Sequence, residues 1–242
     1  MSLLELRHVC KRSTRGGGRS RLVLDDATMS IDAGELVAVW GLRGSGRTTL
    51  LRVATGIDAP DAGSVHFDGR DLRTHGERIL GREIGYCQST PRGAPGQAAI
   101  EEVIVGLLVN GVSPSDARAR AHEVLARVEG GSLGARRLSE LDRDERVRLA
   151  IAHALALEPR LLVIDEPVAG VELHQRDAIL LLLRSLADEQ GLAVLISVGD
   201  LTGLSGADQA FTLGDGELRG SPKPELAPVL ELRPAIGLRA SG

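Results

Sequence analysis

The ten residues Gly41 to Leu50, GLRGSGRTTL, sit between the apolar run ELVAVW and the helically spaced segment TTLLRVATGI. A strand that enters a glycine-rich turn and leaves it as a helix restricts the chain to a narrow set of folds. Gly41, Gly44, Ser45, Gly46, Arg47 and Thr48 fit the phosphate-loop template G-x-x-x-x-G-K-[ST] at every fixed position except the lysine. Glycines let the backbone turn sharply and aim its N–H groups at anionic oxygens. The helix that follows directs its N-terminus at the same anions. With Arg43 and Thr49, these residues form the candidate ligand-binding set, and Thr48 offers a hydroxyl to Mg2+.

Arg47 keeps the positive charge of the missing lysine on a bulkier, planar group that cannot act as a compact point charge. Only Lys11 and Lys223 among the 29 basic residues are lysine. Compositional drift toward arginine and a weakened phosphate site are therefore both open readings of that one position.

At 242 residues with 43% hydrophobic content, the chain can bury a sizeable core without disulfides. Cys10 and Cys87 lie far apart and show no metal-ligand spacing, which suits a reducing compartment. A net charge of −4 with mixed signs, and 2% aromatic residues, leave neither a basic footprint nor stacking platforms for nucleic acid. The longest apolar runs are too short or too interrupted to cross a bilayer, and the N-terminus lacks a signal-peptide apolar region. The chain is expected to be soluble.

Residues 3–10 and 22–40 read as strands, separated by the gap RSTRGGGRS, expected to be a mobile loop. GSVHFDGRDL reads as a hairpin and REIGYCQ as a strand ending at Gln88. From about 98 to 156 the pattern is helical, with SPSD as a start signal at residue 113. RLLVIDEP, AVLIS and AFTLGDGEL are further strand candidates. Apolar strands alternating with helices predict an α/β fold with a mainly parallel sheet. Residues 227–242 read as a loosely attached tail.

Asp165 and Glu166 close the apolar run LLVIDEP, where one can hold Mg2+ through water and the other can orient an attacking water. Together with the phosphate loop, Gln88 in IGYCQ, the run LDRDERVRLAIAHALALEPRLLVIDEP and the segment AVLISVGDL, the chain resembles a nucleotide-binding subunit of the ATP-binding cassette (ABC) transporters over essentially residues 3–226. That resemblance implies a P-loop NTPase core with an antiparallel β subdomain and an inserted helical subdomain. It also implies ATP and Mg2+ as ligands, with Thr48, Gln88 and Asp165 around the metal and Glu166 and Gln88 in catalysis. The implied partners are transmembrane permease subunits and a second cassette, as homodimer or heterodimer. The implied location is cytoplasmic, peripheral on the inner face of the cell membrane. EVIVGLLVNGVSPSDARARAHEVLARV is similar to the helical subdomain of cassettes serving lipoprotein-release, macrolide-export and FtsX-like permeases.

Several positions depart from the family pattern. The signature LSGGQ falls on Leu141, Asp142, Arg143, Asp144 and Glu145, and an alternative register at Leu138–Glu140 also lacks both glycines. In the gapless register, Asp142 and Asp144 bring negative charge toward a polyanion. The switch histidine maps to Gly199, the D-loop aspartate to Glu172, and the adenine-stacking aromatic to about Ser13. The chain therefore reads either as an ATPase subunit with slow or partner-dependent hydrolysis, or as an inactive cassette that scaffolds or regulates a membrane complex.

Overall fold

Five short runs carry almost no charge before their final residues, and a strand buried on both faces needs that composition. They are β3 (Leu36–Trp40), β6 (Ile84–Cys87), β7 (Leu161–Asp165), β8 (Ala193–Val198) and β9 (Gln209–Gly214). In the computed structural model, which describes residues 2–13, 20–74, 82–87 and 93–221, they form a parallel sheet. A sixth strand, β10 (Glu217–Ser221), adds antiparallel to β9 and completes the order β10-β9-β3-β8-β7-β6.

The second sheet is antiparallel, in the order β2-β1-β4-β5, from β1 (Leu4–Ser13), β2 (Arg21–Ile31), β4 (Ala62–Phe67) and β5 (Arg70–Asp71). The expected hairpin at GSVHFDGRDL is the β4–β5 pair. Helix α1 (Arg47–Ala54) follows β3. The central helices are α2 (Ala99–Val109), α3 (Pro114–Arg127) and α4 (Arg143–Leu155), and α5 (Leu173–Gln190) lies between β7 and β8. The start signal at residue 113 works as read. Ser113 Oγ accepts the Asp116 N–H at 3.3 Å, and Pro114 opens α3.

The period of two along each strand divides the molecule between two cores. Leu36, Ala38, Leu162, Ile164, Val194 and Ile196 face the core shared with α2 to α5. Val37, Val39, Leu161, Val163, Ala193 and Leu195 face the other, shared with α1 and the antiparallel sheet. This sorting places the site, because Asp165 and Ser197 continue the second series and pair across β7 and β8. Both emerge on the α1 side of the sheet, at its C-terminal edge, where ligands of open α/β sheets bind.

Among the described residues no helix is long and apolar enough to cross a membrane. The expected mobile gap falls largely on residues 14–19, and the tail on 227–242. Both lie outside the described residues, as does Gln88.

Candidate functional site

The loop after β3 takes the shape its glycines permit. Gly44 has φ 84° and Gly46 has φ 110°, a left-handed backbone that L side chains rarely adopt. At Gly46 a Cβ would also meet Val23 O at 2.7 Å, and at Gly41 it would meet Leu213 O at 2.5 Å. The turn closes with Ser45 N–H donating to Leu42 O at 3.0 Å, after which α1 begins at Arg47. Ser45 Oγ is buried with no hydrogen-bond partner.

Across from the loop, the Asp165 carboxylate is held from both sides. Thr48 Oγ1 donates to Asp165 Oδ2 at 2.7 Å, and Ser197 Oγ donates to Asp165 Oδ1 at 2.5 Å. Ser197 also accepts the Glu166 N–H at 3.0 Å. Glu166 itself has φ 51°, a left-handed turn at the strand end that reverses the chain and presents its carboxylate to the cleft. Burial, and then the neighbouring Asp165 charge, push the Tyr86 phenol up to about 12, so it stays neutral.

Arg47 lines the cleft with its guanidinium already bonded inside the protein. Its side chain is 7% exposed, with one guanidinium nitrogen donating to Val198 O and another to Glu166 Oε1. Gly199 adjoins this pair: a Cβ there would touch it in ordinary contact, 3.4 Å from Arg47 Nη1 and 3.9 Å from Glu166 Oε1. The two departures read separately from the sequence are neighbours in space, so a side chain longer than a Cβ at Gly199 would meet the guanidinium.

A cleft of about 500 Å3 joins these parts, within the size range of small-molecule sites. Arg43, Gly44, Gly46, Arg47, Thr48, Thr49, Asp165 and Glu166 line it, as do Ser13, Arg21, Val23 and Arg143. Gly41 and Ser45 shape the loop from behind. A hydroxyl and a carboxylate within hydrogen-bond reach form a hard-oxygen donor set that suits Mg2+, so Thr48 and Asp165 fit the expected metal.

The acids of the signature segment have structural employment. Asp142 caps α4 by accepting the Glu145 N–H at 3.1 Å, and its own N–H donates to Glu145 Oε2 at 3.0 Å. Asp144 pairs with Arg148 at 3.3 Å. Burial raises the Asp144 carboxyl above its usual range, and the hydrogen bond and charge of Asp142 add to the rise. Burial alone would raise Asp142 as well, but hydrogen bonds from Asp144 and the Glu145 amide outweigh it and hold that carboxyl low. The sequence did carry the capping signal, an aspartate followed three residues later by glutamate.

Other single residues fall where their surroundings dictate. His153 packs against α2, where a Cβ on Gly106 would meet its Nε2 at 2.3 Å. His174 is exposed, 3.7 Å from Glu172. Burial pushes the Cys87 thiol far up, and it donates to Ala150 O at 3.3 Å. Sequence reasoning missed Ser197 and Arg21. The signal for Ser197 was a lone hydroxyl late in an apolar strand.

Comparison with known proteins agrees with this geometry. The profile of the family described as ABC transporter matches residues 24–169. The lipoprotein-releasing system ATP-binding protein LolD of Chromohalobacter salexigens is 36% identical over 211 residues, covering 86% of this chain and 89% of the relative. LolD of Pseudomonas syringae pv. tomato is 35% identical over 211 residues, covering 86% and 93%. Among solved structures, the dimeric ATP-binding cassette MJ0796 bound to ADP and Pi superposes with a TM-score of 0.81 at 26% identity, covering 90% of this chain and 98% of that one. The cbiO1 subunit of the cbiONQ transporter complex from Clostridium perfringens gives 0.80 at 25% identity, covering 92% and 89%. By sequence and by fold, the chain belongs to the ABC transporter family as one of its ATP-binding cassettes.

Proposed function

We propose that residues 1–226 form a single cassette that binds Mg-ATP and couples it to a membrane permease, with hydrolysis that is slow or dependent on its partners. The observation that carries this reading is the contact between Thr48 and Asp165 at the mouth of a glycine-built phosphate loop. Thr48, Asp165 and Gln88 would hold Mg2+, whose charge would offset that of the phosphate oxygens. Glu166 orients the attacking water, and Gln88 is assigned to the same catalytic step. The slow step follows from the ion pair, because the Glu166 oxygen held by Arg47 is not free to engage a water.

The cassette sits at the cytoplasmic face of the membrane through a permease, of the kind that LolD-type relatives suggest. The helical subdomain, about 98–156, offers it Val105, Leu108 and Val109 of α2, which are 50%, 40% and 81% exposed. A second cassette, identical or different, meets the C-terminal edge of the parallel sheet. Leu42, Leu173 and Leu201 follow strands β3, β7 and β8 there and stay 65–70% exposed.

A scaffold without turnover is the second reading. It is favoured by the α4 N-terminus, whose Glu145 amide is already taken by the Asp142 carboxylate. Steady-state ATPase of the chain, alone and assembled with its permease, separates the two. Turnover that falls about 10²- to 10⁴-fold in Glu166→Gln supports the enzyme. Mg-ATP binding with no turnover in the full assembly supports the scaffold, and absence of Mg-ATP binding in both states defeats the nucleotide reading.

A further inference from the structure

The cleft is unusual in what surrounds the part of a nucleotide that is not phosphate. The chain contains one tryptophan, one tyrosine and two phenylalanines, and all four are placed. Phe67 is fully buried, Trp40 packs on the α2 to α5 core, and Tyr86 and Phe211 pack on the other core. None lines the cleft. Residues 14–19 contribute no aromatic in any conformation, because their sequence is TRGGGR. A second copy of the chain would bring only the same four rings.

The charges tell the complementary half. Four arginines, Arg21, Arg43, Arg47 and Arg143, line the cleft against two carboxylates, Asp165 and Glu166. Arg143 is oriented by its Nε, which donates to Ala169 O at 2.9 Å, so the guanidinium comes to the cleft of its own chain. Guanidinium groups and loop amides recognise phosphoryl oxygens whatever base is attached. Away from the loop and β7, the lining from β1 and β2 is Ser13, Arg21 and Val23, which offers no aromatic ring for a purine.

We propose that this cleft recognises the polyphosphate tail and not the base. Nucleoside triphosphates of any base, and inorganic tripolyphosphate, bind it with Mg2+ at similar affinity. The inference rests on the nucleotide reading above and fixes the ligand class of that same site. Stacking on an aromatic side chain would separate nucleotides from bare tripolyphosphate by about 5- to 150-fold.

Calorimetric titration of the purified full chain with ATP, GTP, CTP, UTP and tripolyphosphate, each with Mg2+, tests it. The expected result is dissociation constants within about 3-fold among the four nucleotides, and within about 5-fold for tripolyphosphate, below the separation that stacking gives. ATP bound about 10-fold more tightly than the other three would overturn the proposal and leave the ATP reading intact. Uptake of none of the five would overturn both. Ser13→Tyr supplies the missing ring at the end of β1. It should tighten all four nucleotides about 5-fold or more while leaving tripolyphosphate unchanged. If nucleotides and tripolyphosphate still bind alike in that variant, the base does not lie over Ser13 and the proposal fails.

Discussion

Replacing Arg47 by methionine keeps the aliphatic stem and removes the guanidinium, and two interactions go with it. One is the bond to Val198 O, which would retain only the Gly41 N–H at 3.4 Å. A buried hydrogen bond from a charged group contributes about 1.5–3 kcal/mol. The other is the pair with Glu166, whose side chain is 43% exposed, so its share is screened toward the roughly 0–1 kcal/mol of a surface pair. Together they give an expected loss of about 2–3 kcal/mol. For a chain of this length each kcal/mol moves the midpoint by about 2–4 °C, so Arg47→Met should melt about 4–12 °C below wild type. Differential scanning calorimetry without nucleotide measures this. Arg47→Lys in parallel should bind Mg-ATP more tightly, since an ammonium that does not bridge Glu166 and Val198 is available to phosphate. A midpoint lowered by less than about 2 °C in Arg47→Met would refute the bonding described for the guanidinium. Unchanged or weaker Mg-ATP affinity in Arg47→Lys would refute the idea that this pairing competes with the ligand.

Gly199→His should crowd the Arg47 guanidinium and destabilise by about 1–3 kcal/mol, a cost relieved in an Arg47→Lys background. Chemical denaturation of the four proteins in that cycle should give a coupling of at least about 0.5 kcal/mol, and strict additivity would count against a shared space. Because the fold raises the Asp144 carboxyl, its ionisation costs stability, and this cost grows as pH rises through the folded value. Asp144→Asn should therefore gain most in melting temperature near pH 7, with the gain shrinking as pH falls through the raised folded value and gone below about 3.9; a gain larger in acid would reverse the assigned sign. In native protein at pH 8, iodoacetamide should modify the partly exposed Cys10 and spare Cys87, read by peptide mass mapping; equal labelling would contradict the buried, protonated thiol.

Much of the fold could be read from local pattern because each element obeys one dominant rule. Apolar runs became parallel strands, and the serine and proline at 113 and 114 opened a helix as their chemistry requires. The loop was legible because three glycines at fixed spacing have few alternatives. What the sequence could not disclose was where long side chains go. Arg47 was visible as a departure, but its bond to Glu166 spans 119 positions and runs beside Gly199. Asp142 shows a different limit. Set against a resemblance, it reads as a charge that repels phosphate, whereas its local spacing to Glu145 already spelled a helix cap. The left-handed turn at Glu166 had no signature at all, because nothing about that residue type favours it.

Strand β3 lends successive side chains to opposite cores, Leu36 and Ala38 to one and Val37 and Val39 to the other, before running into Gly41. It works as a plank gripped on both sides, with the phosphate loop at its free end. A ligand tightening the loop would thus pull on five residues anchored in both cores, and the loop could not shift far without loading each of them.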